Sequence, residues 1–519
     1  KKVSGADWMS IVGKGTSDVN EEYVLMLKDD QVYFDVGQGG GPYLQQSTTI
    51  APETWHHIAA VHTRSGNTST LKVFLNGEDV GGTTVGASYT PNDNSYPLTI
   101  GSRWFSGSYG LFQGQIDDVR IWNNALDGQQ IQENMYNNLS GYEDGLVGYW
   151  DFNDGEGSTL TDLSGNENDG TIYGATWSDD VMQPPYNGPE WFVSMDGSDD
   201  SNGSEEHPFG SIQRAVDAAN DYDMIQIYSG EYFENILINK NIHIGGNHED
   251  GDIIINGDRN GSVFTIDGDS DSISVYLFGL RIIDGRSEKG AGLFVNNALV
   301  DISESQISNN QTAGQGSQGG GIYAFNSRVG LYGSYVETNY SDDLPGYGAG
   351  IYSDNSILFF ESAGVSDNNS SSGSGGGVYM TNNSEGYFVE TEVRDNTALK
   401  QGGGIFINEG SYLNADGAIN IHDNTVTQDC FTGQGSQGGG FFIDNASVDF
   451  SGDYLYANKA FDSGGAFFIT NGSSVNFSYI AIETNESAEV GGGENTIGGA
   501  LGIVFDSEVN FYQCTVYGN

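Results

Sequence analysis

GGGIYAFNSRVGLYGSYVETN, residues 319 to 339, holds every feature that decides the fold of this chain. It opens with a glycine triplet, continues through an aliphatic and an aromatic residue, and passes into the alternating run SRVGLYG. It closes on an aliphatic residue three places before Asn339. The same pattern is written eight times between Gly290 and Asn519, with glycines at Gly290, Gly319, Gly348, Gly375, Gly402, Gly438, Gly464 and Gly498. The closing asparagines are Asn310, Asn339, Asn368, Asn396, Asn424, Asn458, Asn485 and Asn519. Periods measured from the residue before the aliphatic are 29, 29, 27, 27, 36, 26 and 34, whereas the distance from there to the asparagine stays at 18 to 20. One side of each repeat is fixed and the other is a loop of free length, which marks a solenoid. Three short alternating runs per repeat, rich in Val, Ile, Phe and Tyr, predict three strands and a coil of a parallel β-helix. Glycines supply bends that a Cβ would block. An asparagine at a fixed turn can bond its amide to the coils above and below. No such coil buries its inner face alone.

The charge balance is extreme, with 71 acidic against 18 basic residues and a net charge of −53. Such a field repels nucleic acid and anionic membrane and draws cations. Twelve per cent aromatic residues and many β-branched ones leave enough apolar material for cores, so the 77 glycines do not mean disorder. Two cysteines, Cys430 and Cys514, cannot form a disulfide framework, and their places in a long loop and a late strand argue against a mutual bond. No apolar run is long enough to span a bilayer. The first residues already read as strand and the last repeat stops at Asn519, so the chain reads as a piece of a larger secreted protein, truncated at both ends.

Residues 1–182 alternate apolar and polar over short runs broken by Gly, Asn and Asp, the pattern of an antiparallel β-sandwich. WHHIAAV, LKVFLNG, IGSR and FQGQIDDVRIWNNALDGQQI, in that order, resemble the laminin-G-like, concanavalin A-type lectin sandwich of bacterial surface proteins. The tail GLVGYWDFNDGEGSTLTDLSGNENDGTIYGATW is similar to a segment that accompanies it. The resemblance implies a jelly-roll sandwich with glycan binding in its loops, where Trp104, Phe105 and Tyr109 are the aromatic candidates, with Trp122 nearby. A proline-rich linker follows at 183–190. From 191 to 519 the residues resemble pectate-lyase-like right-handed parallel β-helices. The glycine and asparagine repeats look like those of chlamydial polymorphic outer-membrane proteins, with Val, Ile or Leu where that family has Phe. Ile212, Ala215, Val216 and Ala219 fall at helical spacing behind Ser211, which predicts a capping helix over about 211–220.

Several residue sets are candidates for chemistry. Phe294, Tyr323, Tyr352, Tyr379, Phe406, Phe442 and Phe468 share one repeat position and form an outward column. It is either a self-stacking ladder or a platform for sugar rings, with Tyr323, Tyr352 and Tyr379 as its glycan-binding candidates. Calcium is the implied cofactor. Its candidate ligands are Asp162, Asn166, Asn168 and Asp169 in DLSGNENDG and Asp267, Asp269 and Asp271 in DGDSDS, with Asp196, Asp199, Asp200 and Asn202 in a further acidic loop. Taken singly, each loop reads first as a solvated turn rich in Asx residues. His56 and His57 point to opposite faces of a strand and His62 is too distant to share an ion with them. Elimination on an acidic polysaccharide needs a base and a cation for the uronate. From Gly292 onward only Arg328, Arg394, Lys400 and Lys459 are basic, and they form no cluster in the sequence. The sequence therefore points to an extracellular or bacterial cell-surface adhesin that binds a polysaccharide or cell-surface glycan, with no nucleic-acid partner and no membrane insertion of its own. A polysaccharide lyase or glycoside hydrolase, and a structural filament or surface-layer component contacting its own copies or surface proteins, are the rival readings.

Overall fold

The computed structural model describes residues 1–3, 8–15, 22–36, 43–85, 95–103, 110–137, 139–178, 186–246, 251–268, 272–342, 345–427, 436–452, 454–487, 499–504 and 506–519. The chain divides into two compact units, Lys1–Pro184 and Pro185–Asn519.

In the first unit the run YVLMLKDDQVYFDV folds back on itself, Tyr23–Lys28 against Gln31–Val36. Asp29 and Asp30 hold the two-residue turn with φ of 49° and 65°, which matches the twist of the strands they join. Five antiparallel strands lie side by side in the order Tyr43–Thr49, Gln31–Val36, Tyr23–Lys28, Met9–Lys14 and Leu98–Ile100. A second antiparallel sheet joins Ile58–Ser65, Thr68–Leu75 and Glu78–Val85. Alternate residues of the two sheets meet in one core, Leu25, Leu27 and Phe34 from the first and Leu71 and Val73 from the second. One short helix, α1 (Gly128–Asn134), starts in a complete capping box at Asp127 and Gln130.

The second unit is a stack of parallel coils. Its sheets hold twelve, eleven, ten and eight strands, each paired in parallel with its counterpart in the next coil. Twelve strands at about 4.8 Å each span about 50 Å. The coil after Gly292 shows the pattern. Leu293–Asn296 belongs to the ten-stranded sheet, Ala298–Ser303 to the twelve-stranded, Gln306–Ser308 to the eleven-stranded and Gln311–Thr312 to the eight-stranded. Sequence periodicity predicts three strands per coil, and the fourth has only two residues, too few to carry any period.

A left-handed residue stands at each corner of this coil, Asn297, Glu304, Asn309 and then Gly319, with φ of 49°, 48°, 57° and 66°. At the fourth corner a side chain is excluded, because a Cβ on Gly319 would lie 2.2 Å from the Ile322 carbonyl oxygen. The other corners vary between coils, holding Asn297, Glu304, Thr338, Ser362, Ala457, Tyr479 or Gly333 among others, so only the fourth reads as a glycine signature. Inside, apolar residues of the three longer sheets form one continuous core from Trp191 to Ala500.

Helix α2 (Ile212–Ala218) covers the first coils, as the sequence predicts. Ile212, Ala215 and Val216 are buried against the strands Glu190–Val193, Met224–Ile227 and Ile236–Ile238. Ser211 accepts the Arg214 N–H as N-cap, and both Glu234 carboxylate oxygens take the Ile212 and Gln213 N–H groups at 2.8 and 2.9 Å. Lys240 closes the other end on the Val216 and Ala219 carbonyls.

The asparagines form a buried ladder. From Asn310 to Asn485 each of the seven is fully buried. The side-chain oxygen of Asn368 accepts both the backbone N–H and the side-chain amide of Asn339, each at 3.0 Å. The Asn368 amide in turn donates to Asn396 Oδ1 and to the Val336 carbonyl, at 2.9 Å each. Every rung repeats this, and the column ends on the Gly285 N–H at one end and Asn519 at the other. Asn368→Ala orphans two donors on Asn339 and the Val336 carbonyl. At about 1–3 kcal/mol for each buried polar group left unpaired, urea denaturation of this unit should show a loss of at least about 3 kcal/mol. Asn476→Ala, at an exposed strand position, should cost under about 0.5 kcal/mol. Equal effects would contradict the ladder's role.

Candidate functional site

In the first unit the strands Ile58–Ser65 and Thr68–Leu75 meet the start of α1 around a pocket of about 260 Å³. Thr63, Thr70, Lys72, Phe74 and Asp127 line it. Lys72 is held by Asp79 at 2.7 Å, and the Thr70 and Thr84 hydroxyls share a hydrogen bond at 3.0 Å. Hydroxyls, an ammonium group and one aromatic ring around a cleft suit a small polyhydroxylated ligand. The loop residues that the sequence nominates for glycan binding, Trp104, Phe105 and Tyr109, lie outside the described residues. Trp122 is half-buried in the strand Val119–Trp122, opposite Leu146.

The loop DLSGNENDG is a hydrogen-bonded turn. Asp162 is buried, and its two carboxylate oxygens accept the N–H groups of Tyr149, Ser164 and Asn168 and the Ser164 hydroxyl, all at 2.9 Å. Burial alone would raise its pKa, but these donors outweigh it and hold the carboxyl below its usual range. Asp169 accepts the Asp162 N–H, while the Asn166 and Asn168 amides donate to the Val147 carbonyl. The Asp162 carboxylate thus spends its lone pairs on N–H and O–H donors and serves as a cap for this turn. Asp199 is likewise occupied, by the Gly210 and Ser211 N–H groups. Asp267 accepts the Asn296 amide at 2.8 Å, and Asp269 and Asp271 lie outside the described residues. Among the described residues no three His, Cys, Asp or Glu side chains converge as metal ligands.

The aromatic column is real but covered. Phe294, Tyr323, Tyr352, Tyr379, Phe406, Phe442 and Phe468 stack nearly parallel with ring centroids 4.4 to 5.5 Å apart. Tyr323, Tyr352 and Tyr379 are only 4, 6 and 8% exposed. The return segment packs alongside, with Tyr347 against Tyr379 and the Lys289 ammonium 4.7 Å from the Tyr323 ring centre. A sugar cannot lie on a face that another ring already occupies, so the platform reading of Tyr323, Tyr352 and Tyr379 gives way to the ladder. Alternation puts these rings outside the aliphatic core, as expected. What alternation does not show is the return segment that buries them.

On the outer face of the eleven-stranded sheet the register brings together a cluster that linear spacing hides. Arg394 and His422, 28 residues apart, are direct neighbours on paired strands. Arg394 reaches Glu392 at 3.1 Å and Asp395 at 2.7 Å, with Asp367 at 3.7 Å. His422 contacts Glu392 at 3.1 Å and Asp423 at 2.8 Å and stacks on Tyr456. Partial burial would raise the Glu392 pKa, but the His422 and Arg394 hydrogen bonds carry it below the ordinary carboxylate value. Arg328 pairs with Asp301 and Lys459 with Glu486. Three of the four basic side chains after Gly292 are therefore committed to carboxylates, which leaves little positive charge in those coils to hold a uronate.

Residues 2–132 match the laminin G family model described as the concanavalin A-like lectin/glucanases superfamily. The first unit is thus a concanavalin A-like sandwich, and the second a parallel β-helix. Among solved structures, a Bacteroides ovatus protein described as carbohydrate binding is 22% identical over 33% of this chain and 51% of its own, with a TM-score of 0.27. A pectate lyase is 13% identical over 63% of this chain and 78% of its own, TM-score 0.30. An S-layer domain-containing protein of Clostridium thermocellum is 23% identical over 26% of this chain and 65% of its own, TM-score 0.14. This chain spans about half the length of the first. Scores this low leave the fold to stand on the strand pairing itself. None of the curated proteins matches the sequence.

Two outcomes follow. Tyr352→Ala removes a buried ring from the middle of the stack and should destabilise the second unit by about 3–5 kcal/mol in urea titrations while leaving glycan binding unchanged. In the first unit, burial and the nearby Arg120 charge lower the His57 pKa to about 4. A folded value below the unfolded one of about 6.5 means the folded state resists protonation. Stability is therefore full above pH 6.5 and falls by up to about 3 kcal/mol as the pH drops towards 4. Thermal midpoints at pH 7 and 4.5 should show a larger acid loss for the natural chain than for His57→Gln, and equal losses would contradict the assignment.

Proposed function

We propose that this is a secreted, cell-surface carbohydrate-binding protein of the bacterial adhesin kind. Its sandwich recognises a glycan and its β-helix forms an extended support. The match of residues 2–132 to a lectin/glucanase superfamily carries this reading, on a two-sheet sandwich with a hydroxyl-lined pocket. The net charge of −53 favours a neutral glycan over an anionic one. An extracellular location and calcium-dependent binding belong to the same reading.

A glycan array with calcium and with chelator, run beside a product assay on neutral and acidic polysaccharides, tests it. The reading predicts binding without new reducing ends or unsaturated products. Trp104→Ala combined with Phe105→Ala should weaken that binding at least tenfold, a loss of about 1.4 kcal/mol. Loss of binding in chelator would support calcium. Product release would instead establish a lyase or hydrolase, and silence in both assays would favour a structural filament or surface layer.

A further inference from the structure

The outer face of the eleven-stranded sheet carries a second pocket, open and about 270 Å³ in volume, lined by Asp252, Arg281, Glu304, Gln306, Gly333 and Tyr335. Three consecutive coils build it, because Arg281, Gln306 and Tyr335 hold the same register position on paired strands. The next residue in that row is Gly364. A Cβ there would stand 2.5 Å from Tyr335 Cδ1 and 2.9 Å from Cε1, so the ring leans across the glycine and is held low on the sheet. Tyr335 is nonetheless 50% exposed. Unlike Tyr352, it presents a ring to solvent with no other ring stacked on it among the described aromatic pairs.

Around the ring stand planar polar groups already oriented by one another. The Arg281 guanidinium bonds Gln306 Oε1 at 3.0 Å and Asp252 at 2.7 Å. The Gln306 amide donates to Glu337. Gly333, exposed and with nothing within 4 Å of where a Cβ would be, leaves the entrance open. An apolar ring beside forked donors and acceptors matches a pyranose, which offers C–H groups on one face and vicinal hydroxyls at its rim. The charge count decides the sugar class. Asp252, Glu304 and Glu337 outnumber Arg281, so a uronate would meet net repulsion and a neutral sugar would not.

We propose that the Arg281–Gln306–Tyr335 pocket of the β-helix is a binding subsite for a neutral hexose or pentose residue of a glycan, separate from any site in the sandwich. Tyr335 supplies the stacking ring, Arg281 and Gln306 the hydroxyl contacts, and Gly364 the space that lets the ring lie down. The site does not depend on the sandwich reading.

The test is isothermal titration of the full chain with neutral cello-, xylo-, manno- and laminari-hexaoses and with hexagalacturonate. The variant Trp104→Ala/Phe105→Ala serves as a background weakened in the sandwich, in which Tyr335→Ala reports the β-helix site. At least one neutral hexaose should bind that background, and Tyr335→Ala should weaken it tenfold or more. Tyr335→Phe should stay within twofold, because the ring face persists. Gly364→Ala should act like Tyr335→Ala by lifting an otherwise intact ring, and circular dichroism checks that both variants fold. Hexagalacturonate should bind at least tenfold more weakly than the best neutral sugar. The proposal is overturned if no neutral hexaose binds the sandwich variant, if Tyr335→Ala and Gly364→Ala stay within twofold, or if the uronate binds best. Loss of all binding with the sandwich variant alone would leave the sandwich proposal standing and remove this one.

Discussion

A fully buried asparagine amide must find two donors' worth of acceptors and an acceptor's worth of donors, or cost several kcal/mol. In this β-helix the partners lie in the coils on either side. Asn339, Asn368 and Asn396 each accept at Oδ1 the N–H groups of the rung before, and each amide donates to the Oδ1 of the next rung and to a carbonyl of the coil before. That constraint fixes the vertical register of every coil from Asn310 to Asn519. It also explains why the stretch from glycines to asparagine keeps its length while the stretch after it varies. Residues that must present a corner, a core face and a rung in one turn cannot be inserted into, whereas the return segment carries no rung. The same dependence gives a coil little stability apart from its neighbours, which is why α2 with Glu234 and Lys240 closes over the first coils.

Register fixed inside also fixes what stands outside. Side chains 25 to 36 residues apart become neighbours at about 4.8 Å spacing, so outer surfaces are assembled from rows rather than from sequence motifs. One row, from Phe294 to Phe468, is covered by the return segment and becomes a second core. On the eleven-stranded sheet one row gathers Arg281, Gln306 and Tyr335, and further along the sheet Glu392 of that row meets Arg394, His422 and Tyr456 of the row two residues on. The second group is a closed ion-pair network in which carboxylates outnumber cations. The first retains an open pocket and an exposed ring.

The architecture was legible because it repeats. Gly319 and its counterparts, the inward aliphatics and the asparagine rungs each recur with a physical reason, and α2 follows from Ser211 and four apolar residues at helical spacing. The two-residue fourth strand was not legible, since Gln311–Thr312 has no period to show. Nor was the burial of Tyr352, because alternation says which side of a strand a ring takes but not what packs over that side. The Glu392–Arg394–His422 cluster could have been found by aligning repeats on their asparagines, which places Arg394 and His422 two residues before Asn396 and Asn424. Spacing also hides a second use of the acidic loops. Asp162 and Asp199 are spaced like ligands, yet a carboxylate beside free backbone N–H groups serves equally well as a cap.

Hydrogen exchange of the full chain, read by mass spectrometry peptide by peptide, tests the central claim most directly. The backbone N–H groups of Asn339, Asn368, Asn396, Asn424 and Asn458 donate to side chains one coil away. If the ladder ties the coils together, peptides spanning these residues should exchange slowly and with a shared opening free energy, on the scale of unfolding the whole second unit. Rapid exchange at these rungs, or a separate opening free energy for each coil, would contradict it.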